Sequence, residues 1–370
     1  MTDARTAELV GIYDATAPLE SASTIPASWY TDAGIYALER RAVFGDWQMV
    51  GRAEQVVAPG QFLTADVAGE PLLVARGQDG ALRGFFNVCR HHAALVASEP
   101  QGQASAFRCP YHGWTYSLEG ELRGTPDFTG VCNFDRGQNG LVPVTVEIWE
   151  NFVFARVNPQ GRSLREHLGG LAPQVRPLRL DRLHFVERRV YSFDSNWKVF
   201  VDNYLDGGYH IPYLHKGLDS VLPYSEYTIE NGERFCLQSC PLLSSGRDAA
   251  TAAVRKGERA LYYWLHPNFM INWYEGQMDT NLVLPLGQDR TQVIFDFYFT
   301  DVSPEALERN QASIGIGDRI QDEDTGICAS VQRGLSSRAY QQGRLSVRRE
   351  AGEHLFHRLL AADLRGALAG

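Results

Sequence analysis

The sequence predicts an α+β chain, a small antiparallel β-domain followed by a larger domain whose helices cover an antiparallel sheet. Three observations predict it. Short apolar runs broken by Gly, Pro, Asn and Asp fill residues 46–157, longer alternating runs fill residues 178–300, and helical periodicity takes over after Ser303. Residues 1–30 read as an irregular arm with Pro18 and Pro26, and residues 31–45 as a helix with Arg late in it. LLVAR, GFFNV, PVTVEIW and FVFARV are the strands of the first domain. Pro159, Gly161, Gly169, Gly170, Pro173 and Pro177 mark a connection. HFVERRVYSFDSNWKVFVDNYL then starts as strand and passes into helix, while LYYWLHPNFMINWY, NLVLPL and QVIFDFYFT read as strands. A long helix is expected over 304–343, with Ser303 as N-cap and Pro304 at its first position, and a last one from Arg349 to Leu364, stopped at Gly366. The expected division is an arm and helix over 1–45, a β-domain over 46–160 and a second domain over 161–370.

Composition narrows the function. The 370 residues are 44% apolar and 21% charged, which excludes wholesale disorder. A net charge of -9 argues against a nucleic-acid scaffold. No run approaches the ~20 apolar residues of a membrane helix, and the N-terminus shows no secretory pattern. Six cysteines are too few for a disulfide scaffold, so a cytoplasmic protein with reduced, metal-bound or buried thiols is expected.

The first chemical constellation is Cys89-Arg90-His91, then 17 residues, then Cys109-Pro110-Tyr111-His112-Gly113-Trp114. Two thiolates and two imidazoles arriving as paired loops can hold one zinc or one [2Fe–2S] cluster. A zinc finger would put its cysteines together and its histidines together. Here each loop carries one of each, which suits a Rieske cluster, with two Cys on one iron and two His on the other. His92 competes with His91 as ligand, and the C-x-H spacing favours His91.

The second constellation lies in NWKVFVDNYLDGGYHIPYLH, where His210 and His215 are five apart. On an unbroken helix they would point about 140° apart, at about 100° per residue. Pro212 lies between them and is expected to break the helix and let both rings converge. Two histidines and a carboxylate make the facial triad of oxygen-activating non-haem Fe(II). RIQDED on the long helix supplies Asp322, Glu323 and Asp324, among which spacing does not choose.

Together the two motifs resemble the α-subunit of Rieske non-haem iron oxygenases, over residues 40–360. Within that superfamily, NWKVFVDNYLDGGYHIPYLHKGL, LYYWLHPNFMINWY, MDTNLVLPLG and SVQRGL are most like choline monooxygenase and bacterial quaternary-ammonium oxygenases. The resemblance implies a Rieske β-sandwich followed by a helix-grip, START-like catalytic domain. It implies a [2Fe–2S] cluster at Cys89, His91, Cys109 and His112, and a mononuclear Fe(II) at His210, His215 and Asp324. It also implies that Asp206 links a cluster histidine of one subunit to an iron histidine of the next, with Asp202 as the alternative, in a head-to-tail homotrimer.

Residues 262–274 are rich in aromatics, and an aromatic cage recognises a trimethylammonium group. Tyr262, Trp264, Phe269 and Trp273 are the expected substrate contacts, although strand alternation keeps the whole aromatic set from lining one pocket. Glu275 and Asp279 could add negative charge; Arg255, Lys256 and Arg259 lie upstream, but nothing marks one of them for a substrate carboxylate. No G-x-G-x-x-G fingerprint follows a strand, so a ferredoxin or flavin-dependent reductase is expected to supply electrons. The expected reaction is choline hydroxylation with O2, giving betaine aldehyde hydrate. N-demethylation of a betaine or carnitine-type substrate, ring dihydroxylation of an arene and non-enzymatic electron carriage are the alternatives. Cys132, Cys236, Cys240 and Cys328 are expected as buried or free thiols.

Overall fold

The computed structural model describes residues 4–243 and 245–369. The chain forms two compact units, Phe44–Leu164 and a second that joins Met1–Val43 to Arg165–Gly370.

In the first unit the strands are β1 (Gln48–Arg52), β2 (Gln61–Val67), β3 (Glu70–Arg76), β4 (Leu82–Phe86), β5 (Gln101–Gln103), β6 (Phe107–Arg108), β7 (Thr115–Tyr116), β8 (Leu122–Gly124), β9 (Pro143–Trp149) and β10 (Phe152–Arg156). One sheet runs β1-β10-β9-β4-β3-β2-β5 and a small one β6-β7-β8, with antiparallel pairing throughout. The β2–β3 turn has Ala68 at φ +50° and Gly69 at +89°, the paired positive values that let a two-residue hairpin follow the strand twist. The core gathers Phe62, Leu73, Phe85, Phe107 and Tyr116 around the two cysteines, Cys89 and Cys109, and Trp114. The metal-motif loops are therefore anchored by hydrophobic burial.

The second unit has β11 (His184–Phe193), β12 (Thr228–Asn231), β13 (Phe235–Pro241), β14 (Arg259–Leu265), β15 (Phe269–Tyr274), β16 (Gln277–Pro285) and β17 (Thr291–Phe299). They form an antiparallel sheet in the order β11-β17-β16-β15-β14-β13-β12. β11 is an edge strand whose residues are mostly exposed or half-buried, whereas β16 is almost continuously buried, as a strand covered on both faces should be. The unit's helices include α1 (Ala4–Gly11), α2 (Ala27–Thr31), α3 (Ala33–Ala42), α4 (Trp197–Leu205), α5 (Ile211–Leu214), α6 (Ala249–Val254), α7 (Leu307–Leu335) and α8 (Ala351–Ala369).

The N-terminal segment is more ordered than its two prolines suggest. It holds α1 and α2 and is strapped to the far end of the chain by Thr24 N–H to the Gly343 carbonyl (3.2 Å) and Ala27 N–H to the Gln341 carbonyl (2.8 Å). A fully buried pair ties α3 to α4: Lys198 Nζ donates to Glu39 Oε1 (2.6 Å), and Trp197 Nε1 donates to Glu39 Oε2 (2.9 Å).

Three element expectations are corrected. Ser303 occupies the cap position without a side-chain cap bond, because Pro304–Ala306 first make a 3₁₀ turn. α7 ends at Leu335, where Ser337 N–H closes a turn on the Gly334 carbonyl. α8 runs through Gly366, whose cost of ~1 kcal/mol in a helix interior is offset by the buried Phe356, Leu360 and Leu364.

Candidate metal centres and substrate cavity

The two Cys–His loops share one backbone design. Cys89 N–H donates to the Ala94 carbonyl (2.8 Å) and Ala93 N–H returns to the Cys89 carbonyl (3.0 Å). Cys109 N–H donates to the Trp114 carbonyl (2.8 Å) and Gly113 N–H returns to the Cys109 carbonyl (3.0 Å). Ala93 and Gly113 take φ of +61° and +72° at matching positions. Both thiols are free and buried. The His91 and His112 ring centroids lie 4.7 Å apart, and His91 stacks on Trp114 at 4.7 Å and 10°. His91 Nδ1 is buried without a hydrogen-bond partner, as a nitrogen reserved for a metal would be. The hydroxyl of Tyr116 lies 3.3 Å from Cys89 Sγ. Each loop brings one thiol and one imidazole to the site, the donor set of a two-iron cluster with two thiolates on one iron and two imidazoles on the other.

The second constellation closes tightly. His210, His215 and Asp324 each offer a ligand atom, all within 4.8 Å of one another. α4 ends at Leu205, and Gly207 (φ +68°) and Gly208 (φ +70°) then turn the chain. A Cβ on Gly207 would strike the Arg349 carbonyl. The break therefore lies at these glycines, and Pro212 instead sits in the first turn of α5. The triad's neighbours are ordered as well. His210 Nδ1 lies 2.7 Å from Asp206 Oδ2, and His215 Nδ1 lies 2.6 Å from Glu323 Oε2. Asn203 Nδ2 donates to Asp324 Oδ1 (2.9 Å). Asp202 is committed elsewhere, accepting from Tyr30 Oη (2.5 Å) and lying 3.0 Å from His357 Nε2.

A cavity of ≈ 750 Å³, including its open mouth, lies against the triad. Its walls come from α4 (Phe200, Asn203, Tyr204), from the sheet (Gln238, Tyr262, Asn272, Tyr274, Asp279, Asn281, Phe295), from α7 (Gly317, Ile320, Gln321) and from Tyr227 and Arg255. Tyr227 and Tyr262 stack at 6.4 Å and 13°, and the Tyr262 and Tyr274 hydroxyls are 2.8 Å apart. Asp279 is buried and accepts from Asn272 Nδ2 (2.7 Å) and Asn281 Nδ2 (3.3 Å). Burial raises its carboxyl above the ordinary range, while Arg255 and the two amides oppose that rise.

Comparison with known proteins agrees with both centres. Residues 46–135 match the Rieske [2Fe-2S] domain, and residues 180–366 match the catalytic domain of ring-hydroxylating alpha subunits. The chloroplastic choline monooxygenase of Arabidopsis thaliana is 42% identical, across 97% of this chain and 87% of that protein. The chain is a Rieske oxygenase α-subunit. The carnitine monooxygenase oxygenase subunit of Escherichia coli K12 is 31% identical over 92% of this chain and 94% of that one. The solved structure of the quaternary ammonium Rieske monooxygenase CntA with an inhibitor superposes with a TM-score of 0.84 at 28% identity, covering 92% and 95% of the two chains. As a Rieske oxygenase, the chain uses a [2Fe–2S] Rieske cluster and a mononuclear iron. The donor chemistry of the two sites fits both.

Of the four aromatics read as substrate contacts, Tyr262 lines the cavity of this oxygenase subunit. Trp264, Phe269 and Trp273 do not, and strand register explains each. Phe269 and Trp273 alternate with Asn272 and Tyr274 on β15 and so point to the opposite face; Trp273 pairs with Leu261 and Met278 there. Trp264 shares the face of Tyr262 but lies two residues along β14, about 7 Å away. There it is fully buried against Phe356 of α8, with ring centroids 5.6 Å apart, and Nε1 donates to the Pro267 carbonyl (3.0 Å). Sequence reasoning missed Asn203, Tyr204 and Tyr227. Phe200, Asn203 and Tyr204 follow the i, i+3, i+4 spacing of one helix face, a signal already present in KVFVDNYL.

Proposed function

We propose that this α-subunit hydroxylates a small quaternary ammonium compound. The observation that carries the reading is the cavity beside His210, His215 and Asp324, where Tyr204, Tyr227, Tyr262 and Tyr274 surround a space that also holds the carboxyl group of Asp279. Aromatic faces and a buried acid attract a cation that carries no N–H donor. The named activities of the choline and carnitine relatives agree with that choice.

In this reading Cys89, His91, Cys109 and His112 hold the cluster, and His210, His215 and Asp324 hold the iron. Iron held there supplies O2 activation. Overall, one C–H bond becomes C–OH while O2, two electrons and two protons yield the inserted oxygen and water. Asp206 and Glu323 fix the ring orientations of His210 and His215. Asn203 holds the Asp324 carboxylate, leaving the tyrosine-lined side of the site to the substrate. Hydroxylation at the carbinol carbon of choline gives an aldehyde hydrate. Hydroxylation at an N-methyl group releases formaldehyde and a demethylated amine. A separate ferredoxin or flavin-dependent reductase delivers the electrons, and Asp206, bonded to His210 of its own chain, takes them from the cluster of a neighbouring subunit in a cytoplasmic homotrimer. Among the described residues, no helix is long and apolar enough to cross a membrane.

The test reduces the purified protein chemically, adds O2 and analyses single-turnover products from choline, glycine betaine, carnitine and a simple arene by mass spectrometry. Oxidised trimethylammonium products are expected. A diol from the arene alone, or no product at all, would overturn the reading.

A further inference from the structure

The cavity contains a cation as well as an acid. Arg255 follows α6 and enters the wall with only 5% of its surface exposed. Its guanidinium lies over the Tyr274 ring, with Cζ 4.6 Å from the centroid. Nη1 donates to Ser313 Oγ (3.0 Å), Ser313 Oγ donates to Gln277 Oε1 (2.6 Å), and Gln277 Nε2 donates to the Val254 carbonyl (2.6 Å). This buried chain returns to the residue before Arg255 and fixes the side chain in place. Arg255 Nε, in contrast, is buried with no hydrogen-bond partner. Among the described residues, no carboxylate lies within ion-pair distance of Arg255. The nearby acid of the cavity, Asp279, is taken up by two asparagine amides.

A buried guanidinium with an unused donor is costly in isolation, because its charge is desolvated and a hydrogen bond is forgone. A planar anion restores both, and guanidinium geometry matches a carboxylate. A simple amino alcohol offers no anion to fill this position. We propose that Arg255 is a carboxylate anchor, so that the substrate is a zwitterion whose ammonium head meets the tyrosines and Asp279 and whose carboxylate meets the guanidinium. The inference rests on the quaternary-ammonium reading for the head group and adds the second charge, placing glycine betaine and longer ammonium acids ahead of choline.

The experiment compares wild type, Arg255→Gln and Arg255→Lys with glycine betaine, choline and 3,3-dimethylbutanoate. The last is the uncharged-head isostere of glycine betaine and tests the carboxylate alone by equilibrium binding. Cluster absorbance and iron content report folding in each variant. Loss of a hydrogen bond to a charged group corresponds to about 10- to 100-fold. The expected result is that Arg255→Gln lowers the betaine-to-choline ratio of kcat/KM by that factor and weakens dimethylbutanoate binding similarly, with part of both losses recovered in Arg255→Lys. An unchanged ratio together with unchanged dimethylbutanoate binding would overturn the anchor. Arg255-dependent binding of dimethylbutanoate with no turnover of either ammonium compound would uphold the anchor and overturn the ammonium reading instead.

Discussion

Glu323 and His215 are joined by a 2.6 Å contact between Oε2 and Nδ1, while the next residue, Asp324, reaches the other nitrogen of the same ring at 3.2 Å. Adjacent acids on one helix therefore divide the work. Asp324 stands with the ligand set, and Glu323 fixes the imidazole that completes it. Loss of such an outer partner costs about 10- to 100-fold in metal affinity. Glu323→Gln should lose mononuclear iron by that factor in a chelator competition, with cluster absorbance unchanged. An unchanged iron affinity would remove Glu323 from that role.

Asp206 plays the equivalent part for His210 and is also the residue proposed to carry electrons between subunits. With iron supplied in excess, Asp206→Asn should hold both metals and give product in a single pre-reduced turnover. Steady-state turnover should fall by about 10- to 100-fold. Normal steady-state rates would show that electrons take another route.

The aromatic assignment separates Tyr262 from Trp264. Tyr262→Ala should raise KM for a trimethylammonium substrate by up to about 30-fold, the equivalent of a desolvated cation–π contact of about 2 kcal/mol. Trp264→Ala should lower unfolding free energy by about 3–5 kcal/mol, because it empties a fully buried site against Phe356. Denaturant titration beside substrate KM distinguishes the two effects, and a large KM change in Trp264→Ala without loss of stability would reverse the assignment.

Lys198 and Glu39 are both fully buried and bonded at 2.6 Å. Lys198→Met strands the Glu39 carboxylate and should cost about 3–5 kcal/mol in a chemical denaturation experiment. A change below about 1 kcal/mol would mean that the pair does not tie α3 to α4 as described.

Much of this was legible in the residues. The Cys–His spacings encode two local loops, and a local loop brings its own ligands together. His210 and His215 are likewise sequence neighbours, so their convergence needed only a turn. Gly207 and Gly208 turn the chain ahead of His210, and the single helical turn Ile211–Leu214 lies between the two histidines and ends at His215, although Pro212 is the more visible breaker. Spacing alone left Asp322, Glu323 and Asp324 open, because the choice depends on how α7 rotates against α4, and resemblance singled out Asp324. The cavity walls were the least legible part. They join α4, α7 and five inner strands, β13 to β17, and a strand's period of two shows which residues share a face but not what lies opposite. Tyr262 and Trp264 share a face and have different neighbours for that reason. Arg255 is the clearest case: only its burial beside Tyr274 and Ser313 distinguishes it from the other basic residues of VRKGER.

The central claim is that two separate metal centres lie in one chain, with the chemistry at His210, His215 and Asp324. The most direct test is His210→Ala, read by cluster absorbance, iron content and product formation on the same sample. The account predicts an intact Rieske spectrum, loss of the mononuclear iron and no oxidised product. Loss of the Rieske spectrum in a folded protein, or retained turnover, would contradict it.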